Sequence, residues 1–270
     1  MLNTILEKAS DGYNMSMKLI EDILVISKYK DDYLELCKKG LIDRPHYGLG
    51  IFHAAWEAKN LGYDSVSVIE FGVASGEGLL NLETHAKEVE RQLNINIEIY
   101  GFDTGGGLPE PKDYKDMPFK YHGGKYEMDV GCLKPKLKKS ELILGDVKKT
   151  VPEFQESNDF APVGAIFHDL DYYSSTIDSF KIFNLSDDKI LPRVVCYFDD
   201  ISGKLSSQVI PQIGEEEAIQ DFNKKNKLEK IGKLRLKYSY QNNNNIRSER
   251  WYSYHRFNHQ KYDQILESRS

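Results

Sequence analysis

The chain lacks the features of a membrane, secreted or disulfide-stapled protein. None of its apolar runs approaches the ~20 residues that a membrane span needs. The N-terminal stretch has no basic region followed by an apolar core, so it does not read as a secretory signal. Only three cysteines occur, Cys37, Cys132 and Cys196, far apart and in no Cys-x-x-Cys spacing. They read as reduced cytosolic thiols, not as a disulfide framework or a zinc site. Two glycosylation-like triplets, at Asn14 and Asn184, are then chance matches. Charge of one sign is in small excess: 42 acids against 36 Lys plus Arg leave a net −6, which argues against a protein that coats nucleic acid. What remains over 270 residues is 29% charged and 40% hydrophobic, with a mean hydropathy of −0.54. That is an ordinary globular composition, and it excludes wholesale disorder and collagen-like classes. The expectation is a cytoplasmic protein with neither nucleic-acid nor membrane partners. Its length suits one large α/β domain with additions.

Residues 1 to about 40 carry apolar pairs at helical spacing (Leu19/Ile20, Ile23/Leu24, Tyr33/Leu34) and read as helical, with Gly40 as a stop. Residues 43–50, punctuated by Pro45, Gly48 and Gly50, read as a linker, and a second helix is expected over 51–60. Short β-rich runs at 66–71, 95–102, 141–144, 163–167 and 193–198 then alternate with helical patterns near 78–93, 148–156 and 173–183. This alternation predicts a mostly parallel sheet with helices on both faces and ligands at the carboxyl edge of the strands. A helix near 215–225 precedes two strand-like runs, 228–240 and 250–257, joined by an Asn-rich turn. They read as an antiparallel hairpin closing the sheet. The predicted division is an N-terminal helical extension, 1–62, and a main domain, 63–270, with a loop insertion at 104–129.

Two segments carry a nucleoside signal. In Glu70-Phe71-Gly72-Val73-Ala74-Ser75-Gly76-Glu77-Gly78 a buried strand enters a loop with Gly at three positions, and a helix follows. Missing Cβ atoms let a ligand lie against backbone N–H groups at a helix start. No Lys-Ser/Thr pair follows, so this is no phosphate-binding P-loop, and the GxxxGxG order departs from the dinucleotide GxGxxG. The next strand ends in Gly101-Phe102-Asp103, and an acid at that tip is where dinucleotide folds hold ribose hydroxyls. The plain alternatives are a ligand-free turn and a helix cap.

With Thr104-Gly105-Gly106-Gly107-Leu108-Pro109 following, these residues resemble the class I S-adenosylmethionine-dependent methyltransferases, and more closely the macrocin-type sugar O-methyltransferases. The resemblance covers roughly residues 65 to 205. It implies a Rossmann-like, seven-stranded, mostly parallel α/β sheet whose last two strands form the hairpin read above. It implies that Gly72 and Gly76 face the methionine part of S-adenosylmethionine and Asp103 the ribose. Glu70, Ser75, Gly78 and Thr104 then belong to the same cofactor site. Asp146, after the third core strand, resembles the position bordering the adenine and reads equally as a helix N-cap.

The catalytic candidates lie at two further strand tips. Phe167-His168-Asp169-Leu170-Asp171-Tyr172 ends one strand and Phe198-Asp199-Asp200 the next. Carboxylates there can converge, and three around one spot repel unless a cation sits among them. Oxygen-only donors favour Mg²⁺ or a similar ion. The resemblance implies Asp169, Asp199 and Asp200 as metal ligands, with the ion lowering the pKa of the attacking hydroxyl. The catechol-type enzymes carry a general-base Lys three residues after the first metal Asp, and Tyr172 stands there instead. The Asp-Leu-Asp-Tyr pattern, by resemblance to the macrocin type, makes Asp171 the candidate base, with His168 the runner-up. Caps and turn formers are the structural alternative for all of these.

The insertion 104–129 lacks periodicity and reads as a functional loop. Tyr114, Phe119, Tyr121, His122 and Tyr126 are candidates to stack on a sugar ring, with Tyr172 a further substrate contact, or else they pin the loop to the core. Pro45–Gly50 is a candidate cover for the cofactor. The basic runs 134–139 and 224–237 read as solvated faces. The sequence thus points to O-methylation of a small sugar or glycosylated acceptor, with a divalent metal. Metal-independent or N-directed transfer on the same fold and a non-catalytic cofactor-binding protein are the alternatives. Oligomeric state stays open, a homo-oligomer included.

Overall fold

The computed structural model describes residues 28, 32–157, 159–236 and 247–267. A seven-stranded sheet forms its centre, in the order β3-β2-β1-β4-β5-β7-β6. The strands are β1 (Ser65–Phe71), β2 (Asn96–Asp103), β3 (Ser140–Leu144), β4 (Val163–His168), β5 (Ile190–Phe198), β6 (Glu229–Lys233) and β7 (Trp251–Arg256). The first five run parallel, and β7 lies antiparallel between β5 and β6. The expected parallel sheet with its antiparallel closing pair is therefore what the chain forms. The polar turn predicted at 241–245 and most of the helix predicted before residue 32 lie outside the described residues.

The helices are α1 (Tyr33–Lys38), α2 (Pro45–Asn60), α3 (Glu77–Leu93), α4 (Val130–Leu133), α5 (Val147–Ser157), α6 (Tyr173–Ser179) and α7 (Gly214–Lys225). Strand side chains alternate between the two sheet faces. Val66 and Val68 of β1 join one core with residues of α1, α2 and α3. Ile69 and Phe71 join the other core with α5, α6 and α7. The N-terminal helices α1 and α2 thus share a core with the sheet.

One expectation is overturned at residues 43–50. Pro45 opens α2 at a position where its missing N–H costs nothing. The glycines that suggested a linker are packing devices instead. A Cβ on Gly48 would lie 2.7 Å from the Cys37 sulfur, and one on Gly50 would lie 2.7 Å from the Phe167 ring. The backbone must approach both groups closely, so the sequence spends its small residues inside a helix.

Candidate active site

The carboxyl tips of four adjacent strands are levelled by register: Phe71 pairs with Phe102 and with His168, and His168 with Phe198. Their rings form a continuous row on one sheet face. Phe71 and Phe102 have centroids 5.0 Å apart, Phe71 and His168 5.4 Å, and His168 and Phe198 4.4 Å, the last pair stacked. Above this apolar row the next residues turn into a cavity of about 400 Å³. Gly72, Asp103, Asp146, Asp169 and Asp199 all line it, as the strand order requires, together with Thr104, Leu108, Tyr121, Tyr126, Val147, Leu170, Asp171, Ser175 and Asp200.

At the β1–β2 side, Asp103 organises the glycine-rich loop. Its Oδ2 accepts the main-chain N–H groups of Val73 and Ala74, each at 2.9 Å, and its Oδ1 accepts that of Gly105 at 2.7 Å. Gly72 has φ +86, and a Cβ there would lie 1.9 Å from the Asp169 carbonyl oxygen. Its absence lets the tips of β1 and β4 touch. Asp146 both lines the cavity and caps α5, accepting the Lys148 N–H at 2.9 Å.

Five carboxylates lie beyond β4 and β5: Asp169, Asp171, Asp199 and Asp200 on the cavity wall, and Glu215 beside Asp200. Asp171 is buried, with φ +58, a left-handed conformation unusual for a residue other than glycine. Its N–H donates to Asp200 Oδ2 at 3.2 Å, while Asp200 Oδ1 accepts the Tyr121 hydroxyl at 3.2 Å. The Asp200 N–H donates to Glu215 Oε2 at 2.9 Å. Burial, and then the Asp200 charge, push the Asp171 carboxyl up to about 7. Burial together with the Asp200 and Asp199 charges holds Asp169 well above the carboxylate range. Glu215 is likewise pushed well up, first by burial and then by Asp200. Its Oε1 is buried and has no hydrogen-bond partner.

Several expected site residues lie elsewhere, each for a packing reason. His168 is a fully buried rung of the ring row; burial pulls its imidazole down to about 3, so it stays neutral and out of reach of the cavity. Tyr172 is 0% exposed and packs edge-on to Tyr121, behind the cavity wall. Tyr114 and His122 are exposed to solvent outside the cavity. Ser75 is exposed on the loop's outer side. The space a side chain would take at Gly76 is filled by Leu133, and at Gly78 by the Glu70 carboxylate. Glu70 itself is buried beneath the loop, where its Oε1 accepts the Tyr47 hydroxyl at 2.7 Å. Burial pushes its carboxyl up to about 7.

The three expected metal ligands are not gathered around a point. Among the described residues no group of three or more His, Cys, Asp or Glu side chains is arranged to hold a metal ion. Asp199 instead pairs with Arg250 and, at 3.1 Å, with Arg247.

Sequence reasoning missed Glu215, whose place in a Glu-Glu-Glu run at the start of α7 hides it among solvated acids. It missed the two arginines, because the segment that carries them returns to the site only through the β5-β7 pairing. It also missed how the insertion is anchored. The buried Asp116 carboxylate accepts the Ser174 N–H and hydroxyl, each at 2.8 Å, and Lys115 reaches Glu217 at 2.8 Å. Polar ties of this kind fasten the loop to α6 and α7, alongside the packing of Tyr121 and Met117 against Tyr172 and Ile213.

No protein-family model matches the chain, and no curated protein matches it. Among solved structures it is similar to the calicheamicin methyltransferase CalS11, at 19% identity over 82% of each chain with a TM-score of 0.49. It is similar to the O-methyltransferase NovP at 14% identity, over 71% of this chain and 80% of that one, with a TM-score of 0.48. A third, the plantazolicin methyltransferase BpumL in complex with SAH, shares 14% identity over 86% of this chain and 89% of that one, with a TM-score of 0.38. Likenesses this distant carry no assignment of activity. Among the described residues no helix is long and apolar enough to cross a membrane.

Proposed function

We propose that the chain is an S-adenosylmethionine-dependent O-methyltransferase acting on a hydroxyl of a sugar or glycosylated small molecule. The observation that carries this reading is the single cavity joining Gly72, Asp103 and Asp146, at the tips of β1, β2 and β3, to Asp169, Asp171, Asp199 and Asp200 beyond β4 and β5. A nucleoside suits the first set: Phe102, Leu108 and Val147 offer apolar walls, Asp146 borders the base and Asp103 faces the ribose. The methionine end then lies along Gly72 toward β4, beside the acids.

The cofactor supplies the methyl group. Asp171 acts on the acceptor, taking the hydroxyl proton as the oxygen attacks. In the metal-independent reading, a carboxyl near 7 is suited to that step at neutral pH, because it is ionised enough to accept and basic enough to pull. Tyr121 and the Asp171–Asp200 contact hold the base in place.

A divalent cation at Asp169, Asp199 and Asp200 is a second part of the proposal, and it requires these carboxylates, which are not gathered around a point here, to draw together around the ion. The donors are all oxygen, their mutual repulsion calls for positive charge, and the unpartnered Glu215 Oε1 is a further acid beside them. When bound, the ion would acidify and orient the hydroxyl. A metal-independent reading on the same residues is favoured by Arg247 and Arg250, which already supply countercharge at Asp199.

Titration calorimetry with S-adenosylmethionine, followed by methyl transfer to a panel of sugars in Mg²⁺ or EDTA, tests these readings in turn. Absence of cofactor binding sinks the whole proposal. Turnover unaffected by EDTA removes only the metal.

A further inference from the structure

Beside the acid-lined cavity stand two lysines that the methylation chemistry does not call for. Lys120 and Lys125, both in the insertion, sit over the cavity-lining Tyr121: their ammonium groups are 4.3 Å and 4.8 Å from its ring centroid. Lys125 also lies 4.7 Å from the centroid of Tyr126, the second aromatic on the cavity wall. Both lysines are half-buried. Among the described residues, neither has a carboxylate within ion-pair distance, whereas the neighbouring Lys112 and Lys115 do.

These lysines are held on a fixed backbone. The Lys120 and Tyr121 N–H groups both donate to the Met117 carbonyl, at 2.8 Å and 3.1 Å. The Leu108 N–H donates to the Lys125 carbonyl at 2.8 Å, and the Gly124 N–H to the Leu108 carbonyl at 2.8 Å. A Cβ on Gly107 would lie 2.5 Å from the Lys125 carbonyl oxygen, so the two sides of the loop are closely apposed. The charge on Lys120 is felt at Asp171 and Asp200. Acids thus line the cavity at the strand tips, while two ammonium groups that do not line it stand against the rings of Tyr121 and Tyr126, which do.

Two half-buried ammonium groups without carboxylate partners match a group carrying close to two negative charges, which a phosphoryl group does at neutral pH and a single carboxylate does not. We propose that Lys120 and Lys125 form a phosphoryl-binding lip, so that the acceptor is a phosphorylated sugar whose hydroxyl reaches Asp171 while its phosphoryl group sits at Tyr121 and Tyr126. This specifies the acceptor of the function proposed above and rests on that reading. The phosphoryl group comes from a phosphate monoester or from a diphosphate linkage, and the lysine chemistry is shared by the two.

The test is titration calorimetry of the full chain with inorganic phosphate, pyrophosphate and acetate, alongside S-adenosylhomocysteine. One phosphate or pyrophosphate is expected to bind per chain, at least about tenfold more tightly than acetate. Preference for phosphate points to a monoester, and preference for pyrophosphate to a diphosphate. The Lys120→Gln/Lys125→Gln double variant is expected to lose about tenfold or more of this affinity, while Lys120→Arg/Lys125→Arg keeps it. Both variants keep the S-adenosylhomocysteine affinity, which shows that they are folded. Equal binding of phosphate and acetate, or unchanged phosphate binding in the glutamine variant, overturns the proposal. If S-adenosylhomocysteine fails to bind the wild-type chain, the methyltransferase reading falls while the anion titrations still decide the lip.

Discussion

The main-chain N–H of Asp171 donates to the side-chain Oδ2 of Asp200 at 3.2 Å. This contact ties the turn after β4 to the tip of β5 and holds Asp171 at φ +58. The strained backbone and the raised carboxyl pKa coincide in one residue, which is where a base would be pre-set for its task.

Asp171→Asn preserves the shape of the side chain, and asparagine tolerates the left-handed backbone. It is expected to lower turnover by about 10²–10⁴-fold, the usual worth of a general base. The affinity for S-adenosylhomocysteine stays unchanged. Single-turnover methylation and calorimetry measured on the same preparation separate the two effects. Near-normal turnover would remove Asp171 from the chemistry.

Asp103→Ala removes the acceptor for three main-chain N–H groups as well as the proposed ribose contact. Cofactor affinity is expected to fall by at least about tenfold, equivalent to ~1.4 kcal/mol. Asp103→Asn, which still accepts through one oxygen, falls less. If calorimetry finds the alanine variant equal to wild type, Asp103 does not hold the cofactor.

Gly72→Ala places a Cβ 1.9 Å from the Asp169 carbonyl in a backbone region that penalises any side chain. The expected cost is at least ~2 kcal/mol, from the left-handed backbone and the displaced tip of β4 together. Chemical denaturation measures it directly. A variant as stable as wild type would mean that the β1 and β4 tips separate freely.

Glu70 gives a pH dependence with a definite sign. Burial raises its carboxyl from 4.5 to about 7, so the folded state favours the protonated form. Its contribution is fully present below pH 4.5, where both states are protonated. It is lost as pH rises toward 7, because the unfolded chain ionises first. Full loss amounts to about 3 kcal/mol. Glu70→Gln is therefore expected to gain stability relative to wild type between pH 5 and pH 8. Urea unfolding of both proteins at the two pH values checks this, and a difference that does not change with pH contradicts it.

Much of the framework was legible from residue order. The strands, the glycine-rich loop after β1 and the acids after β2, β4 and β5 are local signals. A parallel sheet brings such tips to one edge whatever the details of packing. His168 shows where that legibility ends. A histidine beside two aspartates reads as chemistry, but side chains alternate along a strand, and His168 points into the ring row while Asp169 turns upward. Tyr172 misleads for a different reason: it precedes α6, and a single turn of backbone decides which side of the cavity wall its ring occupies.

By itself, then, the sequence determined the order of strands and helices and the set of residues at the carboxyl edge, because both follow from short-range patterning and from the parallel connection. Only the tertiary structure decided that Gly48 and Gly50 belong inside α2, that Glu215 joins the acids, that Arg247 and Arg250 face Asp199, and that Lys120 and Lys125 stand over Tyr121. Each of these depends on close approach between segments far apart in the chain. No local pattern encodes that distance; it is set by how the helices and the insertion pack on the finished sheet.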